Sequence, residues 1–498
     1  MRNEKLQATT EMIFLAKYLM FQGTSSHVGK SILTAALCRI FVRAGVHIAP
    51  FKAQNMALNS YVTADGLEMG RAQVAQADAA RLAPIVEMNP VLLKPTGNST
   101  SQVIINGKPI GVMSAAEYHQ GYALKAFDAV KSALAKLSAE FELIVIEGAG
   151  SPAEVNLKAN DIVNMRVAKY LNAPVILVAD IDRGGALASI VGTLELLDED
   201  ERELVKGIVI NKFRGDVNLF LPAVEFLENK TGKPVLGILP YIEKIGVDDE
   251  DSVSLDDKFS TGGEINIAVI RLGKLSNFTD FDSLAGEVDV NLFYAKTAAE
   301  LDAADVIILP GSKNTSEDLI FLRENHFAEK ILRKAESGTP IIGICGGFQM
   351  LGEKIFDPMQ TESVHVELDG LKLLPIETTF SAEKFTRQVT IDKVDCEFLG
   401  TQICAENLDG YEIHAGKTSN LSGKIFVREN IFGTYVHGIF DNDKFRRQFL
   451  NSIRRKKNLP PLENLRNLRA ERQKNYDRLA KIVRENLNME LLQKIIDA

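Results

Sequence analysis

The stretch Gly23-Thr-Ser-Ser-His-Val-Gly-Lys-Ser31 decides the fold. Before it, Tyr18-Leu-Met-Phe21 is short and apolar, which suits a buried strand. After it, Ile32 to Val42 places apolar residues at helical spacing. Strand, glycine-bearing loop and helix, in that order, form the context a phosphate-binding loop requires. Gly23, Thr24 and Gly29 shape the loop, and its N–H groups and the helix N-terminus offer partial positive charge to phosphates. Lys30 is placed to reach β/γ oxygens, and the Ser31 hydroxyl to join a Mg²⁺ shell. The spacing departs from the common pattern: five residues, not four, separate Gly23 from Gly29, and Thr24 stands where a glycine is usual. The plain alternative is an ordinary glycine-containing turn.

Outward from this loop, short apolar runs alternate with helical patterns to about residue 258. Val46–Phe51, Leu143–Ile146, Val175–Ala179, Gly207–Ile210 and Val235–Ile238 read as strands. Continuous apolar runs are expected where helices cover both faces of a parallel sheet. The rhythm predicts a P-loop, doubly wound, mostly parallel sheet with its ligands at the carboxyl ends of the strands. Asp248 to Glu264, acidic and then polar, reads as a linker. A second α/β domain then follows, with strands at Ile265–Ile270, Val306–Leu309, Ile341–Ile344 and Phe432–Val436. The expected division is 1–258, 259–450 and a charged helical extension, 451–498.

A chain of 498 residues is long enough for two cores. Hydrophobic content of 46% and charge of 25% are globular values, and no run of 18 uncharged apolar residues predicts a membrane span. Met12–Phe21 is interrupted by Lys17 and lacks a small-residue cleavage site, so it does not read as a signal peptide. A net charge of −9 argues against nonspecific nucleic-acid binding. The basic run Arg454-Arg-Lys-Lys457 reads as a solvated helix end. Cys38, Cys345, Cys396 and Cys404 show no Cys-x-x-Cys spacing, which predicts neither zinc nor disulfides and suits a reducing cytoplasm.

In the first domain, Glu147 ends a predicted strand and is followed by Gly148-Ala-Gly150, so it is placed to hold Mg²⁺ directly or through water. Lys52, Asn55 and Asn59 follow another strand end and are candidate substrate contacts. Asn211, at a third strand end, is a candidate reader of an adenine edge. In the second domain, Cys345 follows the strand Ile341–Ile344, with Gly343 two places before it and Gly347 two after. This is the pattern of a nucleophile elbow, whose helix N-terminus favours thiolate. His437 is the candidate base, and His414 a second, supporting one. The N–H groups of Gly346 and of the loop at Gly311 are placed to form an oxyanion hole.

Gly343-x-Cys-x-Gly-x-Gln349 with a distant histidine resembles the class I glutamine amidotransferases, which implies a glutamine-site role for Gln349. The first domain is similar to the dethiobiotin-synthetase-like ATPases. The order of the two resembles the corrinoid amidases. That resemblance runs from about residue 16 to the end and is most specific at Lys52-Ala-Gln-Asn55 and Ser276-Asn-Phe-Thr-Asp280. It is also carried by Met88–Pro95, Asp161–Arg166, Asp180–Gly185, Pro310–Thr315 and Gly410–His414.

The resemblance implies a cytoplasmic ligase of cobalamin biosynthesis. Such an enzyme takes ATP with Mg²⁺, glutamine and a small-molecule corrinoid, with neither nucleic acid nor membrane as partner. It amidates the b, d, e and g carboxylates of adenosylcobyrinic acid a,c-diamide; the nearest alternative acts on the a and c carboxylates. A partitioning ATPase is a rival reading, but such proteins carry an extra lysine where this chain has Gly23-Thr24 and lack a fused amidotransferase. A glutaminase with a degenerate ATPase domain is another, against which Lys30, Ser31 and Glu147 stand. Many amidotransferases carry His-Pro-Glu, the glutamate orienting the histidine; here the positions read His437-Gly-Ile439. A Cys–His dyad, or an acid from elsewhere such as Glu412, is then expected, with slow glutamine hydrolysis until the synthetase site is filled.

Overall fold

The computed structural model describes residues 16–243, 246 and 262–498, apart from 98, 422 and 464. Its first sheet has six parallel strands in the order Val235–Pro240, Val205–Phe213, Val175–Asp180, Lys17–Gly23, Leu143–Glu147, Ile48–Phe51. Lys17–Gly23 lies centrally, so the loop that follows it is flanked by the carboxyl ends of Leu143–Glu147 and Val175–Asp180. Strand alternation divides the core. Tyr18 and Met20 pack under Val130, Leu134 and Ile190, while Leu19 and Phe21 pack under Leu37 and Cys38 of the helix Lys30–Arg43.

The second face is completed by the far end of the chain. Leu468–Asn486 and Met489–Asp497 contribute Leu479, Val483 and Ile496 to the core that holds Leu19 and Phe21. Arg39 meets Asp477 at 2.7 Å, and Lys17 meets Asp497 at 2.6 Å. A small sheet, Gln54–Met56, Val91–Pro95, Thr100–Ile105 and Lys108–Ser114, stands beside the main one.

The expected linker at 248–264 lies outside the described residues up to position 261. Regular structure is present at Ile265–Ile270, as expected. The second sheet runs Val290–Ala295, Ile265–Ile270, Val306–Leu309, Ile341–Ile344, Ile431–Thr434, Ile425–Arg428, parallel except for the last pair. A long hairpin, Glu377–Phe398 with Thr401–Thr418, crosses to the first unit. There Thr386 donates to the Gly66 carbonyl at 2.7 Å, and Lys384 joins Lys94 around the buried Glu68 at 2.5 and 2.8 Å. Burial alone would raise the Glu68 carboxyl, but the two lysines hold it far below the usual range.

One expectation fails on the helix Asp443–Lys456. Arg454 is not solvated: it is buried and paired with Glu264 at 2.6 Å and Asp289 at 3.1 Å. Arg447 reaches Asp289 at 2.9 Å and also Glu287, and Arg446 reaches Glu287 at 2.6 Å. The arginines clamp the helix to the start of Val290–Ala295. Removing one would strand buried carboxylates, at a cost of about 3–5 kcal/mol.

Candidate functional site: a phosphate-loop cavity and a cysteine elbow

Thr24 explains the irregular loop spacing. Its N–H donates to the Val178 carbonyl at 2.9 Å, so it extends the strand and the loop begins one residue later. Gly29 caps the helix with φ 99°. That left-handed conformation favours glycine, and a Cβ there would lie 2.1 Å from Asn211 Nδ2. Asn211 donates to the Val28 carbonyl at 2.7 Å, and Lys212 to the His27 carbonyl at 2.7 Å. These two residues hold the loop's backbone from the neighbouring strand.

Lys30, Ser31, Lys52, Asn55 and Glu147 line one cavity of about 1310 Å³. Lys30 Nζ donates to the carbonyls of Ser25 at 3.2 Å and Gly150 at 3.1 Å. Glu147 is the hub. It accepts from Ser31 Oγ at 2.9 Å and Lys52 Nζ at 2.9 Å on Oε1, and from Gln76 Nε2 at 2.6 Å on Oε2. Gln76 lies on the helix Arg71–Ala79 and had no signal in the sequence reading. Gly29 also lines the cavity; Gly23, Thr24, Asn211 and Asn59 do not. Asn59 instead accepts from Thr279 Oγ1 at 3.2 Å, across the boundary with the second unit.

Cys345 sits at the top of Ile341–Ile344 with φ 51° and ψ −108°, in front of the short helix Gly346–Met350. Such backbone strain, of about 1–3 kcal/mol, is stored at functional sites. Gly347 allows the turn: a Cβ there would lie 2.0 Å from the Leu309 carbonyl. Cβ atoms added at Gly346 and Gly311 would lie 2.9 Å from Ser312 N and 3.3 Å from His437 Cε1. The Gly311 loop, the elbow and the histidine therefore converge. Gln349 is fully engaged within the protein, donating to the Ala415 carbonyl at 3.0 Å and Tyr435 Oη at 3.1 Å and accepting from Thr315 at 3.1 Å.

The acid missing from His437-Gly-Ile439 comes from elsewhere. His437 Nδ1 lies 2.6 Å from Asp280 Oδ2, and the Gly438 N–H donates to Asp280 Oδ1 at 3.0 Å. All three side chains are buried, Cys345 at 6%, His437 at 1% and Asp280 at 4% exposure. Burial opposes the imidazolium, but Asp280 and Cys345 outweigh it and raise His437 to about 10. This favours the imidazolium form of His437. Glu412 is not the orienting acid; it pairs with Arg387 at 2.6 Å and Lys424 at 2.7 Å. His414 is stacked on Tyr435, and burial pushes it down to about 4. It suits packing, not proton transfer.

Residues 19–253 match the CobQ/CobB/MinD/ParA nucleotide binding domain, and residues 266–445 the CobB/CobQ-like glutamine amidotransferase domain. Cobyric acid synthase of Carboxydothermus hydrogenoformans is 52% identical, over 97% of this chain and 100% of its own. The chain belongs to the cobyric acid synthase family. The cobyric acid synthases of Moorella thermoacetica and Dehalococcoides mccartyi are 51% and 48% identical, each over 97% of this chain and over 98% and 99% of their own. Cobyric acid synthases are ligases, and the fusion of a nucleotide-binding unit to a glutamine amidotransferase unit is that of an amidoligase. Asp280 is the acid of Ser276-Asn-Phe-Thr-Asp280, one of the two stretches most specific to the resemblance, but nothing in its sequence position signals that it meets His437.

Proposed function

We propose that this chain amidates the b, d, e and g carboxylates of adenosylcobyrinic acid a,c-diamide, with nitrogen from glutamine and one ATP per amide. The observation that carries the reading is the pairing of a buried Cys345–His437–Asp280 triad with a cavity in which Lys30, Ser31 and Glu147 converge. The division of labour follows 1–258 for the synthetase, 259–450 for the amidotransferase and 451–498 as the extension.

In the amidotransferase, Cys345 Sγ attacks the side-chain amide carbon of glutamine. The N–H groups of Gly346 and the Gly311 loop stabilise the oxyanion. His437 delivers its proton to the leaving ammonia, then takes one from the water that hydrolyses the glutamyl thioester, while Asp280 holds its tautomer. Gln349 braces the glutamine site. In the synthetase, a corrinoid carboxylate takes the γ-phosphoryl of ATP to give an acyl phosphate and ADP, and ammonia then attacks the acyl carbon and displaces phosphate, leaving the amide. Lys30 offsets charge on the phosphates, Gly23, Thr24 and Gly29 shape the loop, and Asn211 holds it in place. Lys52 and Asn55 face the acceptor; Asn59 supports from behind. Among the described residues no group of three His, Cys, Asp or Glu side chains gathers as a metal site. A hydroxyl and a carboxylate in contact, Ser31 and Glu147, suit Mg²⁺ that keeps phosphate and water in its shell. Bound there, Mg²⁺ neutralises phosphate charge.

No described helix is long and apolar enough to cross a membrane. The test is mass spectrometry of adenosylcobyrinic acid a,c-diamide after incubation with ATP, Mg²⁺ and glutamine. Four successive losses of about one mass unit, OH replaced by NH₂, are expected. ATP hydrolysis with no mass change would remove the corrinoid as acceptor.

A further inference from the structure

The oxyanion loop has little regular structure of its own. Gly311–Ser312 pairs with Leu275–Ser276 in an antiparallel ladder, Ser276 opposite Gly311 and Leu275 opposite Ser312. A ladder so short does not hold its own register. Both of its strands matter to the reaction. One carries Gly311 and lies against the elbow, where a Cβ added at Gly346 would sit 2.9 Å from Ser312 N. The other leads on to Asp280, the acid on His437.

One buried carboxylate joins the two strands. Asp318, on the helix Thr315–Glu324 and 2% exposed, accepts on Oδ2 from the Ser312 hydroxyl at 2.6 Å. It also accepts from the Lys274 N–H, at 3.2 Å on Oδ1 and 3.3 Å on Oδ2. Ser312 belongs to one strand, and Lys274 immediately precedes the other. The same junction is closed by the Lys313 N–H, which donates to the Lys274 carbonyl at 2.9 Å, and by the Asn314 N–H, which donates to Ser312 Oγ at 3.0 Å. The bonds of Asp318 go to the ladder and not to Cys345 or His437, so it can act on the reaction only through the loop.

The junction calls for an ion. An ionised carboxylate only accepts, and it takes these bonds at charge-assisted strength; a protonated one gives up acceptor capacity that the Lys274 N–H needs. Burial pushes Asp318 up to about 6, against the pull of the Ser312 hydroxyl and of the N–H and ammonium of Lys274, while Glu317 adds to the rise. Glu317 on its own helix and Lys274 on the facing segment are the charges about it. Asp318 is therefore ionised at neutral pH and takes a proton as the pH falls through about 6. Glu362, which burial raises to about 7, is a second such carboxyl near the loop, but it accepts from the Thr315 N–H at 2.8 Å, at the start of the helix and outside the ladder.

We propose that Asp318 is a positioning residue of the amidotransferase: by cross-linking Ser312 to Lys274 it sets the oxyanion N–H of the Gly311 loop at Cys345 and, through the same ladder, the segment that presents Asp280 to His437. The proposal rests on glutamine hydrolysis at Cys345, as read above, and not on the identity of the acceptor. An oxyanion donor is worth most once the carbonyl oxygen has gained its charge, so a displaced loop costs kcat and not glutamine affinity.

The experiment measures glutamate release by the full chain against glutamine concentration, between about pH 5 and 9, with Mg-ATP present throughout. The wild-type kcat is expected to fall below about pH 6, as Asp318 takes its proton. Asp318→Asn keeps the shape and removes the charge. It is expected to lower kcat near neutral pH by about 10²-fold, with KM for glutamine within about threefold, and to abolish the limb near pH 6. Ser312→Ala removes one partner. It is expected to cost about tenfold and to move the limb to higher pH, because the hydroxyl holds the Asp318 carboxyl down. Glu362→Gln leaves the limb in place. A limb near pH 6 that survives Asp318→Asn, a kcat in that variant within about twofold of wild type, or a loss carried by KM overturns the proposal. Should Asp318→Asn not fold, Ser312→Ala decides, and an unmoved limb there overturns it equally. Failure of the corrinoid assignment shows separately, as absent amide in mass spectrometry, while these rates are still read as glutamate.

Discussion

The two sites are built in opposite ways. The phosphate loop and Glu147 face a cavity of about 1310 Å³, and their charges lean on replaceable neighbours: Lys30 on two carbonyls, Glu147 on Ser31, Lys52 and Gln76. The cysteine site is closed, its three side chains buried and already aligned. A site that must take a large acceptor and a nucleotide needs room and exchangeable contacts. A site that makes one small nucleophile gains from exclusion of water and fixed orientation.

The contrast breaks most sharply at Cys345. Cys345→Ser is expected to lower glutamine-dependent amidation by about 10³-fold or more and leave ammonium-dependent amidation intact, read as amide product with each nitrogen source. Asp280→Asn comes next, with a loss of about 10²–10⁴-fold in glutaminase kcat. It also carries a pH signature. Asp280, with Cys345, raises His437 to about 10, so removing the carboxylate lowers the histidine pKa and moves the alkaline limb of the rate profile to lower pH. An unmoved limb would show that the carboxylate does not set the histidine. Lys30→Ala should cost about 10²-fold in amidation with either nitrogen source, while unstimulated glutamate release stays near wild type. The smallest effect belongs to Glu412→Gln: glutaminase within about threefold, because its partners are Arg387 and Lys424. A large loss there would return Glu412 to the orienting role.

The same contrast explains what was legible. The phosphate loop, the Glu147 strand end and the Cys345 elbow are local patterns, each written in fewer than ten consecutive residues. Asp280 is 157 positions from His437, and only folding brings them together. Glu412 misled because it lies next to Ile413, whose carbonyl is 3.5 Å from Cys345 Sγ, yet its side chain turns to the basic groups Arg387 and Lys424. Arg454 misled because charge runs are usually solvated, and nothing near it in sequence announces Asp289. The parallel sheets were legible because their buried strands are unbroken apolar runs; the hairpin Glu377–Phe398 was not, since half-exposed residues and lysines interrupt its alternation.

Leu468–Asn486 and Met489–Asp497 close the face of the first sheet that carries Leu19 and Phe21. During synthesis this cover leaves the ribosome only after every strand of the second sheet. At 5–20 residues per second, the roughly 230 residues between Pro240 and Leu468 take on the order of ten seconds or more. The nucleotide-binding unit spends that time with an uncovered apolar flank. The amidotransferase unit is in effect a long parenthesis inside a sentence that begins and finishes on one sheet, and the two catalysts mature as a single event.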